Sequence, residues 1–304
     1  MYGLAARFDH PAAVAGVFAA KERPRFDPLI VHIADPADLD RVIERSGSVP
    51  WARVEALTAS AWPGPLTLVL PRGPAVSDLI TAGLPTVAVR CPGHPVAREL
   101  IARVGPLVAP SANRFGRISP TRAADVVEEL GDRVEFVVDG GPCLLGVEST
   151  IVGFDLHGRP ILHRPGGLAP ERVEAVLGRL GRPSAGHVAA PGQTPSHYAP
   201  RTPMFLVDLV DLAQLPPQAR VAWLRPAGPL APALLAAGRA GLQVVASATL
   251  SEGGDVAEAA QRLFATLRQL DAAGADCIVA ERVPWSTGLG HAIADRLQRA
   301  SAPR

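Results

Sequence analysis

The chain has 304 residues, 48% of them hydrophobic and 19% charged, and its 30 Lys and Arg against 29 Asp and Glu give a net charge of +1. The hydrophobic content is enough for a sizeable core, so the chain is not a disordered one despite its 29 glycines and 31 prolines. The balanced charge argues against a protein that coats nucleic acid. The length predicts two domains of ordinary size or one large domain.

The cysteines and the N-terminal residues indicate a compartment. Cysteine is rare and widely spaced, which argues against a disulfide framework and a structural zinc site; the three cysteines are Cys91, Cys143 and Cys277. No apolar run approaches the ~18 residues of a membrane span. Arg7, Asp9 and His10 stand where a signal peptide needs an apolar stretch. We therefore expect a cytoplasmic protein with no membrane partner.

Short apolar, β-branched runs predict strands in the first half of the chain, at 29–33, 66–70, 86–91, 107–109, 134–138, 149–154 and 160–163. Amphipathic stretches between them predict helices, at 36–45, 54–61, 95–104, 122–130 and 170–177. This alternation is typical of an α/β domain whose helices pack on a sheet. The pattern leaves open whether the sheet is parallel, mixed or strongly curved.

The periodic pattern stops at 178–203, which is rich in Pro, Gly, Ser and Thr and predicts a linker. Such a long connection is usually functional or disordered rather than passive. Alternation then resumes, with predicted strands at 204–208, 221–224, 242–246 and 277–280 and predicted helices at 232–240, 256–273 and 289–299. These elements predict a second, smaller α/β domain.

Lys21 is the only lysine, and the other 29 basic residues are arginine. Either it remains by chance on a solvated face, or its position needs a compact ammonium that a planar guanidinium cannot replace. Pro24 and Pro28 stiffen the segment that follows. Lys21 and Arg23 stand at alternate positions of this extended segment, so their side chains point the same way. The pair suits a polyphosphate, and the alternative is a solvated basic turn.

A second polar group follows the predicted strand at 107–109. Ser111 and Asn113 stand at the strand exit, and Ser119 precedes the predicted helix at 122–130. Hydroxyl and amide groups near a helix start are suited to an anion. The alternative is an ordinary polar turn.

Two further groups stand on the strands at 149–154 and 160–163 and in the linker. Ser149 begins one strand and Arg164 follows the other. Either the two residues belong to a functional site, or they mark a strand edge with a charge at its tip. In the linker, His197 and Tyr198 either close over a pocket or anchor the linker by packing. The sequence contains no P-loop, GxGxxG, HExxH or GxSxG motif, so any phosphate site is an unusual one.

These segments together resemble the threonylcarbamoyl-AMP synthase family of two-domain YrdC-like enzymes. The matches cover nearly the whole chain in order: YGLAA at 2–6, KERPRFDPLIVHI at 21–33, WPGPLTLVL at 62–70, LPTVAVRCPGHP at 84–95, APSANRFGRISPT at 109–121, ESTIV at 148–152, RPG at 164–166, HYAPRTP at 197–203 and GLGHAIADRLQRA at 288–300. The resemblance is specific because so many segments match in the same order.

The resemblance implies a YrdC-like twisted α/β domain with a concave, electropositive face at 1–178. It also implies a linker at 179–203 that folds over the active site, and a Rossmann-like α/β domain at 204–304. The chain would be a nucleotidyltransferase that condenses L-threonine, bicarbonate and ATP, with Mg²⁺, into L-threonylcarbamoyl-AMP and pyrophosphate. Partner tRNA-modifying threonylcarbamoyl transferase proteins would pass the group to the adenosine next to the tRNA anticodon. A weak tRNA contact is a further expectation.

The resemblance also implies the site residues. Lys21 and Arg23 would be catalytic and would hold the phosphates of ATP. The other ATP contacts would be Asp27, Thr86, Ser111, Asn113, Ser119, Arg164 and Tyr198. The threonine contacts would be His32, Arg90, Ser149 and, through its backbone, Ala109. No residue is assigned to a resident metal ion. Arg90 suits its role because a guanidinium clamps a carboxylate with two hydrogen bonds.

The chain departs from the family pattern at its start. The family has a strand ending in Pro-Thr-Glu-Thr before its Tyr-Gly-Leu, whereas this sequence begins at Met1-Tyr2. We therefore expect the first strand to be missing and the activity to be weakened or lost. One competing interpretation is a non-catalytic YrdC-like RNA-binding module, which the near-neutral charge disfavours. Another is a carbamoyltransferase of hydrogenase maturation, which would need zinc-binding cysteine pairs and an acylphosphatase segment that the sequence lacks.

Overall fold

The computed structural model describes residues 1–183, 190, 192, 196–206, 212, 215–216 and 218–303. The described residues form two sheets with associated helices. The predicted α/β class is therefore confirmed. No helix in these residues is both long and apolar enough to cross a membrane.

The first sheet is mixed. Its strands are β1 (Ala6–Arg7), β2 (Ile30–His32), β3 (Leu66–Pro71), β4 (Thr86–Arg90), β5 (Leu107–Val108), β6 (Thr150–Phe154) and β7 (Pro160–Arg164). They lie in the order β1-β5-β2-β4-β3-β6-β7. Strand β2 is parallel to β4 and β3 to β6, and the other neighbours are antiparallel.

The helices around this sheet are α1 (Pro11–Lys21), α2 (Trp51–Ala61), α3 (Asp78–Thr81), α4 (Pro95–Val104), α5 (Ala123–Leu130) and α6 (Pro170–Leu177), with short 3-10 helices at Pro36–Arg41 and Gly131–Arg133. Helix α1 ends at Lys21 because Glu22 adopts the left-handed conformation, with φ of 53°. This turn places Lys21 at the entrance of the segment that leads into β2.

Strand alternation gives the first sheet two different faces. One face carries Val31, Leu68 and Val89, and helices α1, α2 and α6 cover it to form the main core. The other, which we call the polar face, carries Arg90, whose strand partners are His32 on β2 and Thr67 on β3. A small apolar cluster lies on the same face and includes the linker residue Ala190; its other members are Ile30, Val69, Ala88 and Ile151. At least this residue of the linker therefore packs against the polar face.

The second sheet is entirely parallel. It contains β8 (Met204–Leu206), β9 (Arg220–Ala227), β10 (Gln243–Ser251) and β11 (Cys277–Ala280) in the order β10-β9-β11-β8. Its helices are α7 (Ala231–Arg239), α8 (Val256–Asp271) and α9 (Leu289–Ala300). Helices α8 and α9 bury their apolar stripes in one core with this sheet. A parallel sheet with covering helices is the arrangement expected of a Rossmann-like domain.

Two predicted elements are wrong. The segment at 134–138 forms no strand, and its Phe136 and Val138 side chains are 86% and 63% exposed. Its residues are apolar and β-branched as in a strand, but no neighbouring strand pairs with it within the described residues. The predicted helix at 36–45 is instead the 3-10 helix Pro36–Arg41, which Asp35 caps by accepting a hydrogen bond from the Ala37 N–H at 2.9 Å.

The apolar core of the second sheet continues into the first domain. It includes Ile118 and Val147 of the first domain and Tyr198 of the linker, which pack with side chains of α8 and α9. Gly146 approaches α8 most closely: a Cβ atom there would lie 2.1 Å from the Ala260 carbonyl oxygen, and its φ is 68°. A glycine is therefore required where this loop meets α8.

Replacing Gly146 by alanine should lower the free energy of unfolding by ~3 kcal/mol, because the added methyl group clashes with helix backbone that cannot shift cheaply. Urea unfolding followed by circular dichroism measures the loss. Gly141→Ala is a matched control, since its φ is 78° but nothing lies within 4 Å of its Cβ position. It should cost only the ~1–2 kcal/mol of the left-handed conformation. Equal losses in the two variants would contradict the close approach.

Candidate active site

Lys21 is 1% exposed and directs its ammonium inward from the end of α1. Its Nζ donates to the main-chain carbonyl oxygens of Ser111 and Asn113, in the turn after β5. The Asn113 amide holds this turn, since its Nδ2 donates to the carbonyl oxygens of Arg114 at 2.7 Å and Arg117 at 3.0 Å. The lysine and the Ser111–Asn113 turn are therefore held together as one unit.

Arg23 and Asp27 lie in the segment between Lys21 and β2. The Arg23 guanidinium donates from Nε to the Asp27 carbonyl oxygen at 3.1 Å and from Nη2 to the Pro28 carbonyl oxygen at 2.7 Å. Nη2 also lies 2.9 Å from Asp27 Oδ2, an ion pair without hydrogen-bond geometry. Neither carboxylate oxygen of Asp27 accepts a hydrogen bond from a described residue. Asp27 therefore retains unused acceptor capacity beside the cations.

Burial dominates the electrostatics of this cluster. It lowers the pKa of the Lys21 ammonium well below its usual value, and the neighbouring Arg23 charge adds to the effect. Burial likewise raises the pKa of the Asp27 carboxyl, although Arg23 and Lys21 oppose that rise. The protein supplies too little negative charge to compensate its buried cations, so an anionic ligand would stabilise them.

Arg164 stands at the end of β7 and connects the cationic cluster to the polar face. Its Nε and Nη2 lie 3.2 and 3.0 Å from the Ser149 carbonyl oxygen, and Nη2 lies 3.3 Å from the Ser149 hydroxyl. That hydroxyl is 2.7 Å from the hydroxyl of Thr67. Arg164 therefore joins a line of hydroxyl groups on the sheet.

Arg90 and His32 are adjacent on the polar face. The Arg90 Nε donates to the Gly64 carbonyl oxygen at 3.1 Å, and burial together with Arg164 lowers its pKa to about 10, so it stays charged at neutral pH. His32 Nδ1 lies 3.2 Å from the Ile30 carbonyl oxygen, and burial lowers its pKa to about 3. A neutral imidazole that donates from Nδ1 leaves Nε2 as an acceptor. The pair thus offers a cation for a carboxylate and an acceptor for a hydroxyl or amine.

Thr86 lies farther from this pair, whereas Ala109 lies close to His32, because its N–H and His32 Nδ1 contact the same Ile30 carbonyl oxygen. Thr86 begins β4 and shares the polar face with Arg90, but four residues of strand at ~3.3 Å each separate them by about 13 Å. It lies instead at the end of the sheet where β2 begins and Arg23 is bound. Ala109 follows β5, and its N–H donates to the Ile30 carbonyl oxygen at 3.2 Å.

Ser119 is fully buried and belongs to a chain of polar contacts that sequence reasoning missed. Its hydroxyl donates to Glu148 Oε1 at 2.7 Å, and Glu148 Oε2 accepts from Arg296 Nε at 2.9 Å. Burial alone would raise the pKa of Glu148, but Arg296, Arg164 and Ser119 outweigh it and hold that pKa at about 2. The signal for Arg296 was an arginine within the apolar stripe of the predicted helix at 289–299.

Tyr198 brings the linker to the same place. The side chain is 1% exposed, its ring centroid lies 4.1 Å from that of His197, and the Arg296 guanidinium carbon lies 5.0 Å from it. Its hydroxyl has no hydrogen-bond partner among the described residues. A Cβ atom on Gly192 would lie within 3.2 Å of both the Tyr198 hydroxyl and an Arg164 nitrogen. The linker tyrosine and Arg164 therefore meet at one point.

His32 and His197 predict a pH dependence of stability. Burial lowers the pKa of both to about 3, below their value in the unfolded chain, so the unfolded state binds more protons between pH 3 and 6.5. The stabilisation gained by keeping these imidazoles neutral is therefore complete above pH 6.5. As the pH drops below 6.5, the free energy of unfolding falls by ~1.4 kcal/mol per pH unit for each histidine.

The free energy of unfolding, measured by urea titration at pH 4 to 7, tests this. His197→Phe should lower the slope between pH 5 and 6 by ~1.4 kcal/mol per pH unit, whereas the same measurement on His157→Asn, an exposed position, should show no such loss. An unaltered slope in the His197 variant would show that this imidazole is not held neutral.

The site as a whole is a buried group of cations beside a polar sheet face, which defines an α/β protein suited to a multiply charged anion.

Known proteins share this architecture over the whole chain. A family model described as telomere recombination matches residues 1–166, and one for the C-terminal domain of threonylcarbamoyl-AMP synthase matches residues 168–302. The threonylcarbamoyl-AMP synthases of Pyrococcus abyssi and Bacillus subtilis are each 38% identical to the chain, over 100% of its length and 88% of theirs.

A solved structure agrees with these sequence comparisons. The crystal structure of P. abyssi Sua5 complexed with L-threonine superposes with a TM-score of 0.85 at 35% identity, covering 98% of this chain and 87% of that one. The chain therefore belongs to the threonylcarbamoyl-AMP synthase family, and the family expected from its motifs is confirmed.

Proposed function

We propose that this chain is an L-threonylcarbamoyladenylate synthase that makes threonylcarbamoyl-AMP and pyrophosphate from L-threonine, bicarbonate and ATP. The observation that carries the proposal is the position of Arg164 between two groups. Its guanidinium donates to the Ser149 carbonyl oxygen beside the polar face and lies next to the linker Tyr198. Burial lowers the pKa of Arg23 in the cationic cluster and of Arg90 on the polar face, and the nearby Arg164 charge lowers both further, so the three guanidinium groups share one region. A triphosphate at the cluster and an amino acid at Arg90 would lie side by side.

The polar face suits L-threonine. Arg90 can clamp the carboxylate, and the acceptor nitrogen of neutral His32 can take a hydrogen bond from the hydroxyl or amine. Ser149 adds a hydroxyl on the same face. The P. abyssi relative was crystallised with L-threonine, which supports the same amino acid as the substrate here.

The cationic cluster suits the triphosphate. Lys21, Arg23 and Arg164 would face its phosphates, where burial strengthens each charge–charge contact. The amine of threonine combines with bicarbonate to give a carbamate and water. A carbamate oxygen then attacks the α-phosphorus while the bond to the β-phosphate oxygen breaks, and pyrophosphate leaves with the electron pair. Such a reaction depends mainly on positioning and on cations opposite the developing charge.

Mg²⁺ is part of the proposal as a companion of ATP. Magnesium usually binds through phosphate oxygens, waters and one or two carboxylates. Asp27 fits that pattern, since its two carboxylate oxygens accept no hydrogen bond from the described residues and lie beside the predicted phosphate site. The ion would supply positive charge opposite the departing pyrophosphate.

We further propose the cellular setting implied by this chemistry. The adenylate would be consumed in the cytoplasm by tRNA-modifying threonylcarbamoyl transferase proteins, which place the group on the adenosine next to the anticodon. A weak tRNA contact by this chain remains part of the proposal.

Release of pyrophosphate from ATP and bicarbonate, measured with each amino acid in turn, tests the proposed function. We expect release that depends on threonine and on bicarbonate. Release with no amino acid preference would contradict the threonine assignment. RNA affinity that survives Lys21→Ala, without any ATP-dependent release, would favour the non-catalytic RNA-binding module instead.

A further inference from the structure

One buried arginine connects the C-terminal domain to the candidate active site. Arg296 lies on α9 and is 0% exposed, although its neighbours on that stripe are apolar. Its guanidinium crosses to the first domain, where Nε donates to Glu148 at 2.9 Å and Nη1 donates to the Pro165 carbonyl oxygen at 3.0 Å. Asp295 also accepts from Nη1, at 2.6 Å. A buried arginine in this position costs desolvation, which its contacts across the domain boundary offset.

Glu148 passes the effect of Arg296 to Ser119. One carboxylate oxygen is bound by the arginine, and the other accepts the Ser119 hydroxyl proton at 2.7 Å. Because the Ser119 O–H already donates its hydrogen bond to Glu148, the hydroxyl oxygen can only accept a further hydrogen bond. It therefore suits a donor on a ligand and does not suit a phosphate oxygen, which is itself an acceptor.

A second arginine of the C-terminal domain holds the residue before Ser119. Arg268 on α8 donates from Nη2 to the Ile118 carbonyl oxygen at 2.6 Å and from Nη1 to Glu129 at 3.2 Å. Ile118 itself packs in the core of the second sheet. The backbone of this loop is therefore fixed from one side, while Arg296 and Glu148 orient the Ser119 hydroxyl from the other.

We propose that Arg296 is a positioning residue for ATP: through Glu148 it fixes the Ser119 hydroxyl as an acceptor for a donor on the nucleoside, either a ribose hydroxyl or the adenine amino group. The proposal rests on the proposed function for the identity of ATP. It goes further by giving the C-terminal domain a part in nucleotide recognition.

Calorimetric binding of two probes, a non-hydrolysable ATP analogue and inorganic tripolyphosphate, tests this on the full chain. Arg296→Met should weaken binding of the ATP analogue about tenfold, which is the effect of losing one buried hydrogen bond. It should weaken binding of tripolyphosphate less than twofold. Arg296→Lys should recover part of the loss because it keeps a donor for Glu148. The exposed Arg262→Met, on α8, should change neither affinity.

Equal losses for both probes, or no loss for either, would overturn the positioning role, because general damage to the fold does not distinguish nucleoside from phosphate. If Arg296→Met does not fold, Glu148→Gln decides: it should show the same selective loss for the ATP analogue, and Arg296→Lys should show a smaller one. Deoxyribose analogues and an analogue without the amino group identify the donor, since the relevant analogue should bind wild type and Arg296→Met equally. An absence of threonine-dependent turnover counts against the proposed function alone, whereas failure of the wild type to bind the ATP analogue overturns both.

Discussion

Replacing Lys21 by methionine should lower kcat/KM for ATP by ~10²–10³-fold, the usual cost of losing one preorganised group opposite developing charge. The Nζ atom is buried and bound to the Ser111 and Asn113 carbonyls, so the substitution removes both the proposed phosphate contact and the group that ties α1 to this turn. Steady-state pyrophosphate release at varied ATP and saturating threonine measures the effect.

Lys21→Arg makes the prediction specific. A planar guanidinium is larger than an ammonium and cannot approach both carbonyls from the same position, so this variant should also lose most of its activity. Arg25→Met is the matched control, because Arg25 is exposed in the same segment and should tolerate the change. Near-normal activity in Lys21→Arg would mean that only the positive charge matters there.

Replacing Arg90 by glutamine should raise KM for threonine by about 100-fold while changing KM for ATP little, since hydrogen bonds to charged groups contribute ~1.5–3 kcal/mol. The side chain lies next to His32 on the polar face. Initial rates of pyrophosphate release, first at varied threonine with ATP saturating and then at varied ATP with threonine saturating, give the two constants separately.

Arg90→Lys keeps the charge but loses the geometry for two parallel hydrogen bonds. Its KM for threonine should therefore lie between those of Arg90→Gln and the wild type. Arg103→Gln, an exposed position on α4, should leave both constants unchanged. An equal rise in both KM values for Arg90→Gln would instead place Arg90 at a position shared by the two substrates.

The elements that the sequence predicted well are those whose own residues carry a strong periodic pattern and clear start and stop signals. Strand β4 and helix α4 have strong periodicity and clear ends, and both form close to the predicted bounds. Helix α1 was missed because it is apolar nearly all round: alanines and Gly16 surround the buried Val14, Val17 and Phe18, so no polar face marks its buried side. The run at 134–138 failed for the opposite reason: its pattern is that of a strand, but a strand also needs a partner, which one-dimensional alternation does not reveal.

The site residues likewise divide into those that local sequence marks and those that depend on a contact between domains. Lys21 and Arg23 stood out in sequence because the only lysine and an arginine stand two residues apart before a proline-stiffened segment. The chain is not extended there as predicted, because Lys21 ends α1 and Glu22 adopts the left-handed conformation. Arg90 and Ser149 followed from family motifs. Glu148 and Arg296 lie in matching segments, yet no role was predicted for them, because they are 148 residues apart and act on Ser119 only through a contact between domains. Long-range pairing of buried charges depends on the packing of whole domains, which local patterns do not specify.

The most direct test of the shared ATP and threonine pocket is product analysis with ¹³C-bicarbonate. The protein, ATP, Mg²⁺ and L-threonine should yield pyrophosphate and threonylcarbamoyl-AMP that carries one ¹³C by mass spectrometry, and Lys21→Met and Arg90→Gln should each lose the labelled product. Pyrophosphate and AMP formed without a labelled adenylate, or labelled product that survives both substitutions, would contradict the account.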